Sequence, residues 1–265
     1  MRILRLGPLF AFSALLFVVP IQAQQSPTPT RDPQALSMLQ QCLTAAGGTQ
    51  AISAIQDFTE TGSITYFWAD QQVNGSVTIR GLGLFDFRLD TNLPQGTRSW
   101  LVNGLQGTVK NANGSTKPIS YADAVNQGGL TLPYLAIAAA LNDSSVSIST
   151  VGTTTVKGRT GMIIQIRPTF ATGDDPGGEV AKFNTKNYVI DSQTFLVLET
   201  QDTFWSEDGR MLPTKHEVIF SNFKALNGIS VPLSIVDTVG GQQTYSLELS
   251  VVTFNSGLAA DVFQF

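Results

Sequence analysis

The chain has 265 residues, a formal charge of −4, one His and one Cys. No cluster of Lys and Arg is present to suit nucleic acid or an anionic membrane surface, and little is available from which to build a catalytic centre. Cys42 has no partner for an intramolecular disulfide, and one Cys with one His does not close a tetrahedral zinc site.

Residues 1–23 carry the three parts of a secretory signal: Arg2 and Arg5, an apolar run from Leu9 to Val19, and Ile21-Gln22-Ala23 before Gln24. The apolar run is shorter than the ~20 residues of a membrane-spanning helix, so cleavage and export are expected rather than an anchor. Residues 24–31, with Pro27 and Pro29, read as a flexible lead segment. Residues 32–265 read as a single domain, because no Pro-rich or charged linker divides them and no internal repeat period is found. A soluble monomer is expected.

Asp32-Pro33 predicts a helix start, an acidic N-cap with Pro in the first turn. Leu36, Leu39, Leu43 and Ala46 recur at helical spacing, with Met38 and Cys42 beside them, and Gly47-Gly48 ends the run. Cys42 is therefore expected to be a small buried side chain. A short second helix is expected over Thr49–Ile55.

Alternation of apolar and polar residues then predicts strands: Gly62–Trp68, Val73–Ile79, Leu84–Asp90, Arg98–Val102 and Gln106–Lys110 before an Asn113-Gly114 turn. Tyr121–Gln127 and Leu132–Leu141 lack alternation and are expected to be helical, with Pro133 in a first turn. Strands resume at Val146–Ser149, Thr154–Val156, Met162–Arg167, Tyr188–Ile190 and Phe195–Asp202, and three long runs close the chain at Glu217–Phe223, Ile229–Val239 and Thr244–Phe254.

The fold class is α+β: one antiparallel, strongly curved sheet with helices covering its concave face. Phe85, Phe87, Leu89, Met162, Ile164, Ile166, Leu233, Ile235, Tyr245, Leu247, Leu249 and Val251 are expected to point into that concavity. Tyr66 and Trp68 share a face of the first strand and join Phe85, Phe87, Leu89, Met162, Ile164, Leu233, Ile235, Leu247 and Leu249 as candidate ligand-facing residues. Helices that fill the concavity make it a core; helices that cap it incompletely leave an apolar cavity.

Other candidates read as structural. His216 lacks a strained Gly-x-Ser-x-Gly turn to serve and reads as a surface or hairpin-end residue, with Glu217 on the opposite strand face. Asp174, Asp175 and Glu179 lack calcium-loop spacing and read as a solvated turn. Asp86, Arg88 and Asp90 share a strand face and predict a surface ion pair. Gly81-Leu82-Gly83 lacks the strand-to-helix setting of a phosphate loop. Trp68, Trp100 and Trp205 either line a ligand site or belong to the core.

The run Gly75–Phe87, GSVTIRGLGLFDF, resembles the early strands of the LolA/LolB-like periplasmic lipoprotein carriers, and Val102-Asn103-Gly104 the turn that follows. Tyr188–Leu198, with its Asp191-x-x-Thr194 turn, resembles paired strands in the wider set of exported lipoprotein-sorting proteins. Phe220-Ser221-Asn222-Phe223 and Asn227–Pro232 resemble their C-terminal strand pair. The resemblance implies an unclosed β-barrel of about eleven strands with helices as a lid over a cavity for acyl chains. Where the carrier has an Arg-Pro pair whose Arg helps hold the lid closed, this chain has Gly81-Leu82, and the adjacent Arg80 points to the other face.

The expected function is a periplasmic binding protein, not an enzyme and without a cofactor, sheltering an acyl chain, lipid or lipoprotein. The alternative is an envelope regulatory or scaffold module of the same fold that binds a protein partner and has a filled interior.

Overall fold

Asp32 begins the first helix as its chemistry dictates, its carboxylate accepting the Gln34 N–H at 2.9 Å ahead of Pro33. In the computed structural model residues 28–68, 70–127, 130–205 and 213–264 are described, so the secretory signal over 1–23 lies outside the described residues. Helix α1 (Pro33–Ala45) ends where Gly47 takes a φ of 125° and Gly48 donates to Leu43 O at 2.7 Å. Helix α2 (Thr49–Ser53) follows.

Thirteen strands then form one antiparallel sheet. They are β1 (Asp57–Trp68), β2 (Gln71–Leu82), β3 (Asp86–Leu93), β4 (Gly96–Asn103), β5 (Gln106–Lys110), β6 (Thr116–Ile119), β7 (Val146–Val156), β8 (Arg159–Pro168), β9 (Lys186–Asp191), β10 (Val197–Phe204), β11 (Thr214–Leu226), β12 (Ile229–Val239) and β13 (Gln242–Phe254). The order β6-β5-β4-β3-β2-β1-β13-β12-β11-β10-β9-β8-β7 leaves β6 and β7 as unpaired edges, so hydrogen bonds do not close the barrel. Thirteen strands are two more than the resemblance implies; relative to the runs predicted from the sequence, β6 is an addition, an edge strand where Pro118 needs no ladder partner for its nitrogen, and β7 joins two predicted runs across a bulge between Thr150 and Gly152.

Helices α3 (Tyr121–Gln127) and α4 (Pro133–Asn142) interrupt the strands as predicted, and α5 (Glu179–Phe183) is an addition. Helix α3 touches both β5 and β10, which are eight steps apart in the sheet. Eight spacings of a flat sheet would span about 38 Å, whereas a seven-residue helix is about 10 Å long. The sheet therefore curls around its contents.

Helices α1, α2 and α4 fill most of the concavity. Leu39, Cys42, Leu43, Ile52 and Ile137 are buried in one cluster with Phe58, Ile64, Ile79, Ile148, Ile164, Ile190, Ile235 and Leu247 from the sheet. Arg31 fixes the far end of α4, donating to the carbonyls of Asp143 at 2.8 Å, Leu141 at 2.9 Å, Val146 at 3.2 Å and Ala140 at 3.3 Å. Its charge also complements that helix terminus. The last residues of the expected flexible lead are thus tied down: Ile148 N donates to Thr30 O, and Arg31 bridges to Ile148.

Two expected inward residues are corrected. Phe85 is 60% exposed, because β3 starts one residue later and Phe85 stands in the β2–β3 turn. Val251 is 54% exposed, because a bulge between Thr61 and Gly62 pairs Thr61 with Val251 and Gly62 with Leu249, which reverses the alternation and turns Val252 inward.

Candidate ligand cavity

The helices stop short of one end of the bowl and leave a cavity of about 420 Å³. It lies between the ends of β1, β3 and β4 on one side, β10–β13 on the other, and α3 across the gap. Tyr66, Trp68, Phe87, Leu89, Trp100 and Phe204 supply its apolar wall. Tyr66 and Trp68 stack with centroids 5.2 Å apart and rings 18° from parallel, and Tyr245 meets Tyr66 edge-on at 6.0 Å.

The opposite wall is polar, lined by β10–β13 and backed by Lys186 of β9. His216 on β11 places Nδ1 2.6 Å from an Asp202 oxygen and Nε2 2.7 Å from an Asp237 oxygen. Both ring nitrogens therefore donate, which is the imidazolium form. Burial alone would pull its pKa down, yet hydrogen bonds and charge from Asp202 and Asp237 push it up to about 10. Lys186 on β9 lies 3.2 Å from the other Asp202 oxygen and donates to Asn126 O at 2.9 Å, and Thr244 donates to Asp237. Burial raises the Asp202 carboxyl, but Lys186 and His216 outweigh it and hold it below the usual range. The two cations and two carboxylates balance.

Asp123 of α3 completes this wall, accepting from Ser120 Oγ at 2.7 Å and Trp205 N at 3.3 Å, with burial raising its pKa. Arg98 on β4 sits at the aromatic side, its guanidinium carbon 5.0 Å from the Trp100 ring and 5.7 Å from the Tyr66 ring. Beneath the start of α4, Glu60 is fully buried, and neither of its carboxyl oxygens has a hydrogen-bond partner among the described residues. Burial pushes its pKa up to about 7, which the nearby Thr131 hydroxyl opposes.

A measurable consequence follows from Glu60. The folded value lies above the ordinary 4.5, so the folded state keeps a proton that the unfolded chain gives up. This contribution is complete below pH 4.5 and is lost as pH rises through about 7. Thermal denaturation should show the wild type losing Tm relative to Glu60→Gln over that window; parallel pH profiles would contradict the burial of an unpaired acid.

Of the eleven predicted ligand-facing residues, Tyr66, Trp68, Phe87 and Leu89 line the cavity. Met162, Ile164, Leu233, Ile235, Leu247 and Leu249 face the same concavity but pack in the core beneath the helices, away from the opening, and Phe85 lies outside it. Of the tryptophans, Trp68 and Trp100 line the cavity, while Trp205 meets Phe183 edge-on at 4.7 Å.

His216 is the main correction, its side chain only 11% exposed instead of standing at the surface. It shares the inward face of β11 with Val218 and Phe220, and Asp237 follows Val231, Leu233 and Ile235 on the inward face of β12. Polar residues at the inward parity were the sequence signal for this row. The Asp174, Asp175 and Glu179 segment is a turn, with Asp174 and Glu179 exposed as expected, and the Asp175 carboxylate accepts from Val180 N and Ala181 N and so caps α5. Asp191 fastens the β9–β10 turn by accepting from Thr194 N at 3.0 Å.

No family model matches the chain, and no curated protein matches it. Solved structures share its fold. A Vibrio parahaemolyticus protein domain named for outer membrane lipoprotein sorting is 13% identical, with a TM-score of 0.54 over 87% of this chain and 96% of its own. A DUF1329 family protein of Desulfovibrio piger is 12% identical, with a TM-score of 0.53 over 88% of this chain and 98% of its own. A LolA superfamily protein of Nitrosomonas europaea is 12% identical, with a TM-score of 0.53 over 87% of this chain and 97% of its own. At such identities the likeness is one of fold.

Proposed function

We propose that this protein is an exported, periplasmic binding protein that shelters a single apolar chain, such as that of a fatty acid or single-chain lipid, without catalysing a reaction on it. The observation that carries this reading is the aromatic-walled cavity left where the helices end. Its volume falls within the range of small-molecule sites, roughly 300–1,000 Å³. At roughly 30 Å³ for a water-sized group, it takes one chain of about a dozen heavy atoms.

About ten buried methylenes would contribute roughly 8 kcal/mol gross, against an association cost of about 4–15 kcal/mol. Useful affinity therefore depends on a preformed wall. Here Phe87 and Leu89 are held by the packed core, at 2% and 5% exposure. The fold shared with a domain named for lipoprotein sorting supports the same class of ligand.

Uptake of a fluorescent fatty acid tests the reading. Val239 stands in the cavity wall near the end of β12, so Val239→Trp should fill the space and weaken uptake by at least about tenfold without lowering Tm. Uptake by the wild type that Val239→Trp leaves unchanged would place the chain elsewhere, and no uptake at all would favour a module with a filled interior that serves a protein partner.

A further inference from the structure

We propose that Arg98 makes the cavity selective for amphiphiles with an anionic headgroup, a carboxylate or phosphate, whose chain lies along Leu89 and Trp100. The inference rests on the binding-protein reading and adds a ligand class to it.

The other paired arginines define what is unusual here. Arg80 and Arg88 each reach Asp90 at 2.9 Å on the outer face, Arg159 holds Asp191, and Arg31 serves a row of carbonyls. Arg98 points inward, and among the described residues its guanidinium has no carboxylate partner. Among the described residues its one side-chain hydrogen bond runs from Nη1 to the Tyr66 hydroxyl at 3.4 Å, which leaves most of its five N–H donors without a partner there.

The backbone beneath it is fixed. Arg98 pairs with Thr91 on β3, and the Thr91 hydroxyl donates to Arg98 O at 3.0 Å. The faces of Trp100 and Tyr66 hold the guanidinium by cation–π attraction and leave its edge for a ligand. Across the cavity, the charges of Asp202 and Asp237 are already met by His216 and Lys186. Asp123 of α3, the remaining carboxylate of the lining, is held by Ser120 Oγ and Trp205 N, so Arg98 is the lining cation that no carboxylate meets at contact distance among the described residues. A planar fork of donors is suited to a carboxylate or phosphate, and Leu89 and Trp100, directly paired across β3 and β4, offer the adjoining apolar surface.

The test compares dodecanoate, dodecyl phosphate, dodecanol and dodecyltrimethylammonium by competition with a fluorescent fatty acid at mildly alkaline pH, using the full mature chain. The wild type is expected to bind dodecanoate or dodecyl phosphate at least about tenfold more tightly than dodecanol, with the ammonium weakest. Arg98→Gln should reduce that preference to within about twofold at unchanged dodecanol affinity and unchanged Tm, and Arg98→Lys should restore part of it. The stronger of the two anions identifies a carboxylate or a phosphate source.

Equal binding of dodecanol and the anions would overturn the inference while leaving the binding-protein reading in place. Tightest binding of the ammonium, or a preference that survives Arg98→Gln, would also overturn it. Failure of all four probes to bind would overturn both.

Discussion

Replacing His216 by leucine should destabilise the protein by about 3–5 kcal/mol, because it leaves Asp202 and Asp237 as buried carboxylates facing each other without the cation between them. Lys186 still answers one Asp202 oxygen, but Asp237 keeps hydroxyl partners such as Thr244 and no cation among the described residues. The loss belongs to the charges and not to the imidazole's volume, so His216→Leu combined with Asp202→Asn and Asp237→Asn should recover most of it. Denaturant unfolding at neutral pH measures both. The pH dependence carries a further sign: the folded His216 value of about 10 lies above the ordinary 6.5, so its stabilisation is complete below pH 6.5 and is lost as pH rises through about 10. A loss under about 1 kcal/mol in the single variant would mean that water already screens the row.

Gly81→Arg should be comparably damaging. A Cβ at position 81 would lie 2.2 Å from Phe58 Cε1 and 2.3 Å from Cζ. Phe58 is 1% exposed and has nowhere to go. Overpacking alone costs about 1–3 kcal/mol, and burying an unpaired guanidinium adds to that, so loss of folded protein or at least about 3 kcal/mol is expected. Arg80→Ala, one residue away on the outer face, should cost about 1 kcal/mol or less, since Arg80 and Asp90 are partly exposed. A stable Gly81→Arg protein would contradict the close packing of β1 and β2 at Phe58. The α4 terminus is held by Arg31, from the segment that composition alone marked as loose.

What could be read in advance follows from how local each cause is. The start of α1 is set by Asp32 and Pro33, and the alternation of β12 by its own side chains, so neither needs distant information. Bulges depend on the partner strand. The irregularity at Thr61 and Gly62 reversed the facing of Val251, and Gly152 divided β7 into two apparent strands. Phe85 was misplaced because a turn residue beside an alternating run has the same composition as a strand residue. The polar row of the cavity is non-local in the same way. His216 finds Asp202 fourteen residues before it and Asp237 twenty-one after it, and only cross-strand register brings them together. Their shared inward parity was visible; their pairing was not.

The most direct test of a bowl that is largely core and open to one chain is native mass spectrometry of the protein without residues 1–23, titrated with dodecanoate. Saturation is expected at a single added chain per protein, abolished by Val239→Trp. Saturation at several chains, or no adduct at any ratio, would contradict it.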